Sequence, residues 1–187
     1  MLYSPRITEA FALMYELHND QKRKGSDTPY IAHLMSAAAI VAEYGGDEDQ
    51  FIAALLHDAV EDRGGRPTYE RIKAAFGETV AEYVWQCSDS HRTPKPPWRE
   101  RKVLHIEELA VADPKVKLIV SGDKLHNGRS IVMDLRQHGE EVWLRFQGRR
   151  DGTLWYFEEM TEALRRNWDH PVLVELDLVV RAMRESV

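Results

Sequence analysis

Apolar residues recur at helical spacing along most of the chain, and no segment shows the alternation typical of a β-strand. Near the N-terminus Ile7, Phe11, Met14 and Leu17 share one face of a first helix, as a period of 3.6 residues requires. Glycine, proline and polar clusters separate the further predicted helices. These cover residues 30–44, a segment that is capped by Asp47 and runs into His57 and Asp58, and residues 68–76, 78–88, 99–110, 114–135, 155–166 and 172–183. The pattern predicts an all-α fold, a single-domain helical bundle over residues 1–187.

Three segments interrupt the helical pattern. Residues 63–67 contain two glycines and a proline, and residues 89–98 contain three prolines, so both are predicted to leave the helix. Residues 148–152 form a basic stretch flanked by glycines, which predicts a further break. The sequence leaves open what the segments 89–98 and 148–152 do.

Composition and charge exclude several classes of protein. The chain has 187 residues, 43% hydrophobic and 30% charged, and a net charge of -6, which is ordinary for a soluble globular protein. That charge and the lack of a dense basic run disfavour nucleic-acid binding. No apolar run reaches the roughly 18 residues that a membrane span needs, and the N-terminus has a helical pattern unlike a signal peptide. The expected partner is a small molecule, with no nucleic acid and no membrane, and a homo-oligomer is left open.

Cysteine usage points to a reducing compartment. Cys87 is the one cysteine in the sequence, so no disulfide framework within the chain is available. We therefore expect a cytoplasmic location, with Cys87 as a small core residue.

The segment HDAVED, residues 57–62, carries the strongest chemical signal. On one helix, His57 would stack on Glu61 and Asp58 on Asp62, because each pair is four residues apart. An imidazole and three carboxylates would then crowd one turn directly after an apolar run, where like charges repel and burial is costly. A divalent cation would remove that conflict.

One helical turn cannot complete a coordination sphere, so further ligands must come from elsewhere. His33 begins the helix over residues 30–44, and Asp123 follows the apolar run VKLIV. Taken singly, His33 could be a hydrogen-bonded residue at a helix start and Asp123 a core ion-pair partner. Together with His57 and Asp58 they form a mixed nitrogen and oxygen site that suits Mn, Fe or Zn better than Ca or Mg.

At these residues the sequence resembles the HD superfamily of metal-dependent phosphohydrolases. Within it, the likeness is to the hydrolase domain of RelA/SpoT-type alarmone enzymes and to the stand-alone small alarmone hydrolases. The resemblance covers about residues 5–165 and implies an HD-type helical bundle. The motifs that carry it are QKRKGSDTPYIAH (21–33), AALLHDAVED (53–62), TYERIKAAFGETVAEYV (68–84) and GDKLHN followed by GRS (122–130).

The resemblance implies a role for each matching residue. The metal ligands would be His33, His57, Asp58 and Asp123, with manganese (Mn2+) as the usual ion and another divalent transition ion as the alternative. Glu61 and Asp62 would be the catalytic pair that positions or deprotonates the attacking water. The substrate contacts would be Arg23, Lys24, Asn127, Ser130 and Met133.

The implied reaction is attack of water on the 3′-diphosphate of a guanosine alarmone, giving GDP or GTP and pyrophosphate. Further basic residues could offset the substrate's charge, namely Arg99, Arg101, Lys102, Arg149 and Arg150. The proline-rich loop 89–98 and the segment 142–157 depart from the family pattern, so the substrate is open. The alternatives are an adenosine alarmone, the 2′-phosphate of NADPH, a nucleoside monophosphate, or a non-catalytic HD sensor module.

Overall fold

The chain folds into helices joined by short loops, as its apolar pattern predicts. The computed structural model describes residues 3–91 and 94–186, and this part of the chain contains no β-strand beyond an isolated bridge between Lys22 and Pro29. The helices are α1 (Arg6–His18), α2 (Tyr30–Glu43), α3 (Glu48–Leu56), α4 (Ala59–Asp62), α5 (Arg66–Phe76), α6 (Glu78–Cys87), α7 (Trp98–Val111), α8 (Pro114–His138), α9 (Arg149–Arg165) and α10 (Val172–Glu185), with a 3₁₀ helix at Gly139–Arg145. The predicted all-α fold is confirmed.

Helices α2, α3 and α8 form the centre of the bundle. Helix α8 packs against α2 on one side and α10 on another, while α3 lies between α2 and α6. A Cβ atom on Gly122 would lie 2.9 Å from the carbonyl oxygen of Ala37. Glycine therefore allows α8 to cross α2 at close range, one residue before Asp123.

Residues at the starts of α3 and α8 explain where these two helices begin. Asp47 and Gln50 form a reciprocal capping box at the start of α3, which confirms the predicted cap. Pro114 occupies the first turn of α8, where a missing backbone N–H costs nothing.

The prediction that HDAVED lies on one continuous helix is wrong. Helix α3 ends at Leu56, and α4 is a separate turn that begins at Ala59. The carbonyl of Ala54, which a continuous helix pairs with the amide of residue 58, accepts a hydrogen bond from Nδ1 of His57 at 2.8 Å. A side chain that competes for a backbone acceptor in this way favours a helix end, so His57 and Asp58 occupy a junction between two helices.

The predicted break at residues 148–152 is also wrong for residues 149–152, because α9 begins at Arg149, whereas Gly148 lies outside the helix. The two glycines make room for a neighbouring ring. A Cβ atom at Gly148 would lie 2.7 Å from Cη2 of Trp98, and one at Gly152 would lie 3.3 Å from the same atom. The glycines therefore mark a close approach of the first turn of α9 to α7.

The other two predicted interruptions of the helical pattern agree more closely with the structure. Residues 63–65 leave the helix, but α5 already begins at Arg66, with Pro67 in its first turn. Residues 89–91 and 94–97 form a loop as predicted, while Arg92 and Thr93 lie outside the described residues. The 3₁₀ helix after α8 has no counterpart in the prediction.

The aromatic residues near the C-terminal end were predicted to lie in the core. Trp143, Tyr156 and Phe157 are buried there, while Trp155 and Trp168 are half-buried against it. Cys87 packs on the same core. Within residues 3–91 and 94–186, no helix combines the length and apolar character that crossing a membrane requires.

Candidate active site and metal centre

Four predicted metal ligands converge from three parts of the bundle. His33 comes from the first turn of α2, His57 and Asp58 from the junction between α3 and α4, and Asp123 from the middle of α8. Nε2 of His33 lies 3.1 Å from Oδ1 of Asp123 and 3.8 Å from Oδ2 of Asp58. Nε2 of His57 lies 3.0 Å from Oδ2 of Asp58 and 3.5 Å from Oδ1 of Asp123.

These four residues fit a divalent ion. The side chains of His33 and His57 are 1% and 3% exposed, and in both the Nε2 atom is buried with no hydrogen-bond partner. Buried polar atoms without partners are rare and need an explanation. Ligand atoms of His33, His57 and Asp58 all lie within 4.8 Å of one another. A cation between the two imidazoles and two carboxylates would satisfy every one of these atoms.

Surrounding groups hold the four ligands in place. Nδ1 of His57 donates to the Ala54 carbonyl at 2.8 Å, which leaves the lone pair on Nε2 facing the carboxylates. The Tyr30 hydroxyl donates to Oδ2 of Asp58 at 2.6 Å. Lys124 and Asn127 donate to the two oxygens of Asp123 at 2.7 and 2.5 Å. The second ring nitrogen of His33 meets His126, with 2.8 Å between the two Nδ1 atoms.

The two carboxylates of the cluster attract positive charge. Burial alone would raise the pKa of Asp123, but Lys124 and His57 outweigh it and hold that pKa well below its ordinary value. Burial also opposes ionisation of Asp58, and His57 outweighs it, so the pKa of Asp58 is lowered as well. Burial lowers the pKa of His33. In His57 the two carboxylates outweigh burial and raise the pKa well above its usual value. The carboxylates therefore favour positive charge at this place, and a metal ion that binds Nε2 of His57 would take the place of a proton there.

A pocket of about 530 Å³ opens beside the cluster, a volume in the range of small-molecule sites. The five predicted substrate contacts all line it: Arg23, Lys24, Asn127, Ser130 and Met133. A guanidinium nitrogen of Arg23 donates to Asn127 at 2.7 Å, and the side chain of Asn127 in turn donates to Asp123. The pocket wall is thus connected to the metal centre by hydrogen bonds.

The two acidic residues of the predicted catalytic pair point to different places. Glu61 lines the pocket, where it accepts hydrogen bonds from Lys95 Nζ at 2.7 Å and from the Asp89 amide at 3.2 Å. Burial, followed by the charge of Asp89, raises the pKa of Glu61. Asp62 is exposed, is not among the described residues that line the pocket, and accepts a hydrogen bond from Gln21 Nε2 at 2.8 Å. The structure therefore brings Glu61 into the pocket but not Asp62.

Of the further basic residues that could offset the substrate's charge, some line the pocket and others lie outside it. Arg101 and Lys102 line the pocket, and both form ion pairs with Asp89. Arg99 lies outside it, with its guanidinium 3.1 Å from the centre of the Trp155 ring. Arg149 and Arg150 also lie outside and donate to the carbonyls of Leu144 and Arg184.

Sequence reasoning missed several residues of the pocket wall. Lys124 is half-buried beside Asp123, and the Tyr30 hydroxyl donates a hydrogen bond to Asp58, although both residues stand in motifs that the sequence singled out. Tyr156 was assigned to the core, yet it also lines the pocket, with Lys102 Nζ 4.5 Å from its ring centre. Trp98 lines the pocket from the start of α7. Lys124 could have been identified from its position next to Asp123. Trp98 and Tyr156 reach the pocket because α7 packs on α9, and no pattern in the sequence indicates that packing.

Known proteins resemble this chain in sequence and in fold. The model of the HD domain family matches residues 10–154. The chain is 39% identical over 140 residues to guanosine-3′,5′-bis(diphosphate) 3′-pyrophosphohydrolase MESH1 of Xenopus tropicalis, a match that covers 73% of each protein. It is 36% identical over 132 residues to the guanosine-3′,5′-bis(diphosphate) 3′-pyrophosphohydrolase of Aquifex aeolicus, where the match covers 69% of this chain and 18% of that protein.

The fold agrees as well. The solved structure of a metazoan ortholog of SpoT, which hydrolyses ppGpp and plays a role in starvation responses, aligns with a TM-score of 0.79 at 30% sequence identity. That alignment covers 98% of both chains.

Proposed function

Since this chain belongs to the HD domain family, in a branch with the MESH1 proteins, we propose that it hydrolyses the 3′-diphosphate of guanosine alarmones. The reaction converts ppGpp or pppGpp and water into GDP or GTP and pyrophosphate. The observation that carries the proposal is the cluster of His33, His57, Asp58 and Asp123, which lies beside a pocket of about 530 Å³ and reaches its wall through His33. The substrate is inferred from the relatives, which are named guanosine-3′,5′-bis(diphosphate) 3′-pyrophosphohydrolases.

The charge of the pocket supports a substrate rich in phosphate. The whole chain carries a net charge of -6, yet Arg23, Lys24, Arg101, Lys102 and Lys124 all line this cavity. Three acidic residues, Glu61, Asp89 and Asp134, also line it and balance part of that charge, Asp89 by pairing with Arg101 and Lys102, so the described lining has two more basic than acidic residues. In a protein with a negative net charge, a local excess of basic side chains favours binding of a polyanionic ligand in this pocket over binding elsewhere on the surface.

Glu61 is proposed to accept the proton of the attacking water. When bound, a divalent ion at the four ligands supplies a more acidic water and polarises a phosphoryl oxygen. The raised pKa of Glu61 brings this carboxylate nearer to neutral pH, where a general base works best. Lys95, which holds Glu61 at 2.7 Å, would have to release it. Asp62 stays in the proposal as the second member of the pair, held by Gln21.

The test is incubation of the purified protein with ppGpp and manganese, followed by chromatography for GDP and pyrophosphate. Glu61→Gln is expected to lower kcat by about 100-fold or more with metal affinity retained. Glu9→Gln, at an exposed position of α1, is the matched control and should keep full activity. No turnover by the unaltered protein across a series of divalent metals would exclude the alarmone reaction.

A substrate panel distinguishes the alternatives within the family. Trp98 and Gly148 line the pocket and come from the two segments that depart from the family pattern. Adenosine alarmones, NADPH and nucleoside monophosphates should therefore be compared with ppGpp under identical conditions. A non-catalytic sensor module would bind one of these nucleotides and hydrolyse none.

The remaining features of the proposal come from the sequence. We propose manganese (Mn2+) as the ion because two imidazoles and two carboxylates suit a transition metal. We propose one HD domain over residues 1–187, a cytoplasmic location and no nucleic-acid partner, with self-association left to measurement. Metal analysis of the purified protein would identify the ion, and light scattering would measure self-association.

A further inference from the structure

His126 contacts the proposed metal ligand His33 and lines the pocket beside it. Its Nδ1 atom is 2.8 Å from Nδ1 of His33, and the two rings are tilted by 39° with centroids 4.9 Å apart. The imidazole of His126 also lines the pocket. No role in the proposed reaction has so far been assigned to this residue.

Metal binding at Nε2 of His33, combined with the contact between the two Nδ1 atoms, would determine where the protons of both rings lie. Nε2 of His33 faces Asp123 at 3.1 Å and must keep its lone pair if it is to bind a cation. The proton of a neutral His33 is then on Nδ1. Two ring nitrogens at 2.8 Å share one proton, so His33 donates and Nδ1 of His126 accepts. The proton of His126 is therefore on Nε2.

We propose that His126 is a positioning residue of the metal centre, which holds His33 in the tautomer that binds metal and presents its own Nε2–H to an oxygen of the nucleotide. The second half of this statement rests on the proposed function. The first half requires only the metal centre.

The two histidine ligands differ in what supports them. His57 is held by a backbone carbonyl, that of Ala54, which no substitution removes. His33 is held by a side chain, so its support can be altered without touching a ligand. His126 is itself fixed on α8, where its carbonyl accepts a hydrogen bond from Ser130 at 2.9 Å. It stands three residues after Asp123, so one helix carries both a ligand and the partner of another.

Two substitutions separate the two halves of the proposal. Asparagine places its side-chain oxygen close to where Nδ1 of histidine lies, so His126→Asn keeps the acceptor for His33 and loses the pocket donor. Glutamine places its amide close to the position of Nε2, so His126→Gln keeps a pocket donor and loses the acceptor. His126→Phe loses both.

Manganese affinity, measured from the free-ion signal in electron paramagnetic resonance, reports on the first half without any turnover. We expect His126→Asn to bind Mn2+ within about threefold of the unaltered protein, and His126→Gln and His126→Phe to bind it about 10- to 100-fold more weakly. His138→Gln, at an exposed position of the same helix, is the control and should bind normally. Unchanged affinity in both the Gln and the Phe variants would overturn the positioning role.

The tautomers can be read directly from the unaltered protein. Long-range ¹⁵N–¹H spectra of the protein loaded with the diamagnetic ion Zn2+ should show His126 protonated at Nε2 and His33 at Nδ1. The opposite tautomer of His126 would disprove the proposal even if a variant fails to fold.

The substrate half is tested by kinetics. His126→Asn should raise KM for ppGpp several-fold more than it lowers kcat, because one contact to bound nucleotide is lost. An unchanged KM would remove the donor role. Failure of the unaltered protein to hydrolyse ppGpp would overturn the proposed function instead, while the metal affinities and the spectra would still decide the role of His126 at the metal centre.

Discussion

Lys117 is a fully buried lysine that joins the ends of two helices. Its side chain lies in the core at 2% exposure, and Nζ donates to the carbonyls of Arg166 at 2.5 Å and Ala110 at 3.4 Å. These carbonyls belong to the C-terminal ends of α9 and α7, where backbone oxygens lack partners within their own helix. A cation at a helix C-terminus also interacts favourably with the helix dipole.

We therefore predict that Lys117→Met destabilises the protein by about 2–3 kcal/mol, since it removes the Nζ donor from the buried carbonyl of Ala110 and the partly buried carbonyl of Arg166. Urea denaturation monitored by circular dichroism gives the change in the free energy of unfolding. Lys115→Met, at an exposed position of the same helix that pairs with Asp47, should cost less than about 1 kcal/mol. Equal losses in the two variants would contradict the bridging role of Lys117.

His105 makes the fold sensitive to acid. Its side chain is 1% exposed, its Nδ1 atom has no hydrogen-bond partner, and burial, followed by the charges of Lys124 and Lys102, lowers its pKa to about 3. Between pH 6.5 and 3 the unfolded chain takes up a proton at this residue while the folded protein does not, so stability falls as the pH falls.

From pH 7 to pH 5 this single group should remove about 2 kcal/mol of stability. In His105→Leu that contribution disappears, so the variant should lose less stability over the same interval than the unaltered protein does. Urea titrations at the two pH values measure the difference, and His138→Leu at an exposed site serves as the control. If His105→Leu and the unaltered protein lost equal stability, the pKa of His105 would have to be the same in the folded and the unfolded protein.

Single residues were predictable where chemistry restricts the residue type. His33, His57, Asp58 and Asp123 stood out because charged or metal-binding side chains next to apolar runs need a reason. Lys117 did not stand out, because its partners are backbone carbonyls, which every residue possesses. The sequence therefore pointed to the metal centre, while the lysine that bridges α7 and α9 became visible only after folding.

At the scale of helices, the start of α9 depends on a ring from another helix. Gly152 lies inside α9, where alanine would be intrinsically better by about 1 kcal/mol. Cη2 and Cζ3 of Trp98 lie 3.3 Å from the position a Cβ atom would take. We predict that Gly152→Ala is neutral or destabilising in the unaltered protein and stabilising in the Trp98→Ala background.

A double-mutant cycle of unfolding free energies measures this coupling. The sign of the Gly152→Ala effect should reverse between the two backgrounds, because removing the indole frees the space that the methyl group needs. The same stabilisation in both backgrounds would mean that Trp98 does not constrain the helix.

This contact also explains a failure of prediction at the level of helices. Glycines at 148 and 152 are typical of a break when only neighbours in sequence are considered. Here they allow Trp98, about fifty residues earlier, to lie against the first turn of α9. Helix α2 and helix α8 were predictable because their apolar spacing is sustained over many residues, whereas α9 begins where a distant contact overrides the local signal.

For the molecule as a whole, the candidate metal centre joins the helices that form the core. Its proposed ligands come from α2, the α3–α4 junction and α8, and these helices pack directly on one another. Part of the pocket wall comes from Trp98 at the start of α7 and from α9, whose arrangement the sequence did not predict. The candidate metal ligands could thus be inferred from residue types, while the shape of the pocket depends on tertiary packing.

A ligand that binds only the folded state stabilises the entire bundle. At a metal concentration 1,000 times the dissociation constant the gain is about 4 kcal/mol, which corresponds to roughly 10 °C in Tm for a chain of this size. We predict that chelation lowers Tm by this amount and that added Mn2+ restores it, as followed by differential scanning calorimetry.

Asp123→Asn should abolish the restoration, because the carboxylate that lies within 3.5 Å of both ligand imidazoles loses its charge. Asp151→Asn is the matched control, since that side chain is 98% exposed, and it should respond to metal as the unaltered protein does. If Asp123→Asn retained the full metal-dependent rise in Tm, the ion would have to bind elsewhere. A loss of the rise confined to Asp123→Asn would place the stabilising ion where α2, α3 and α8 meet, so that folding and the competence of the metal centre depend on the same packing.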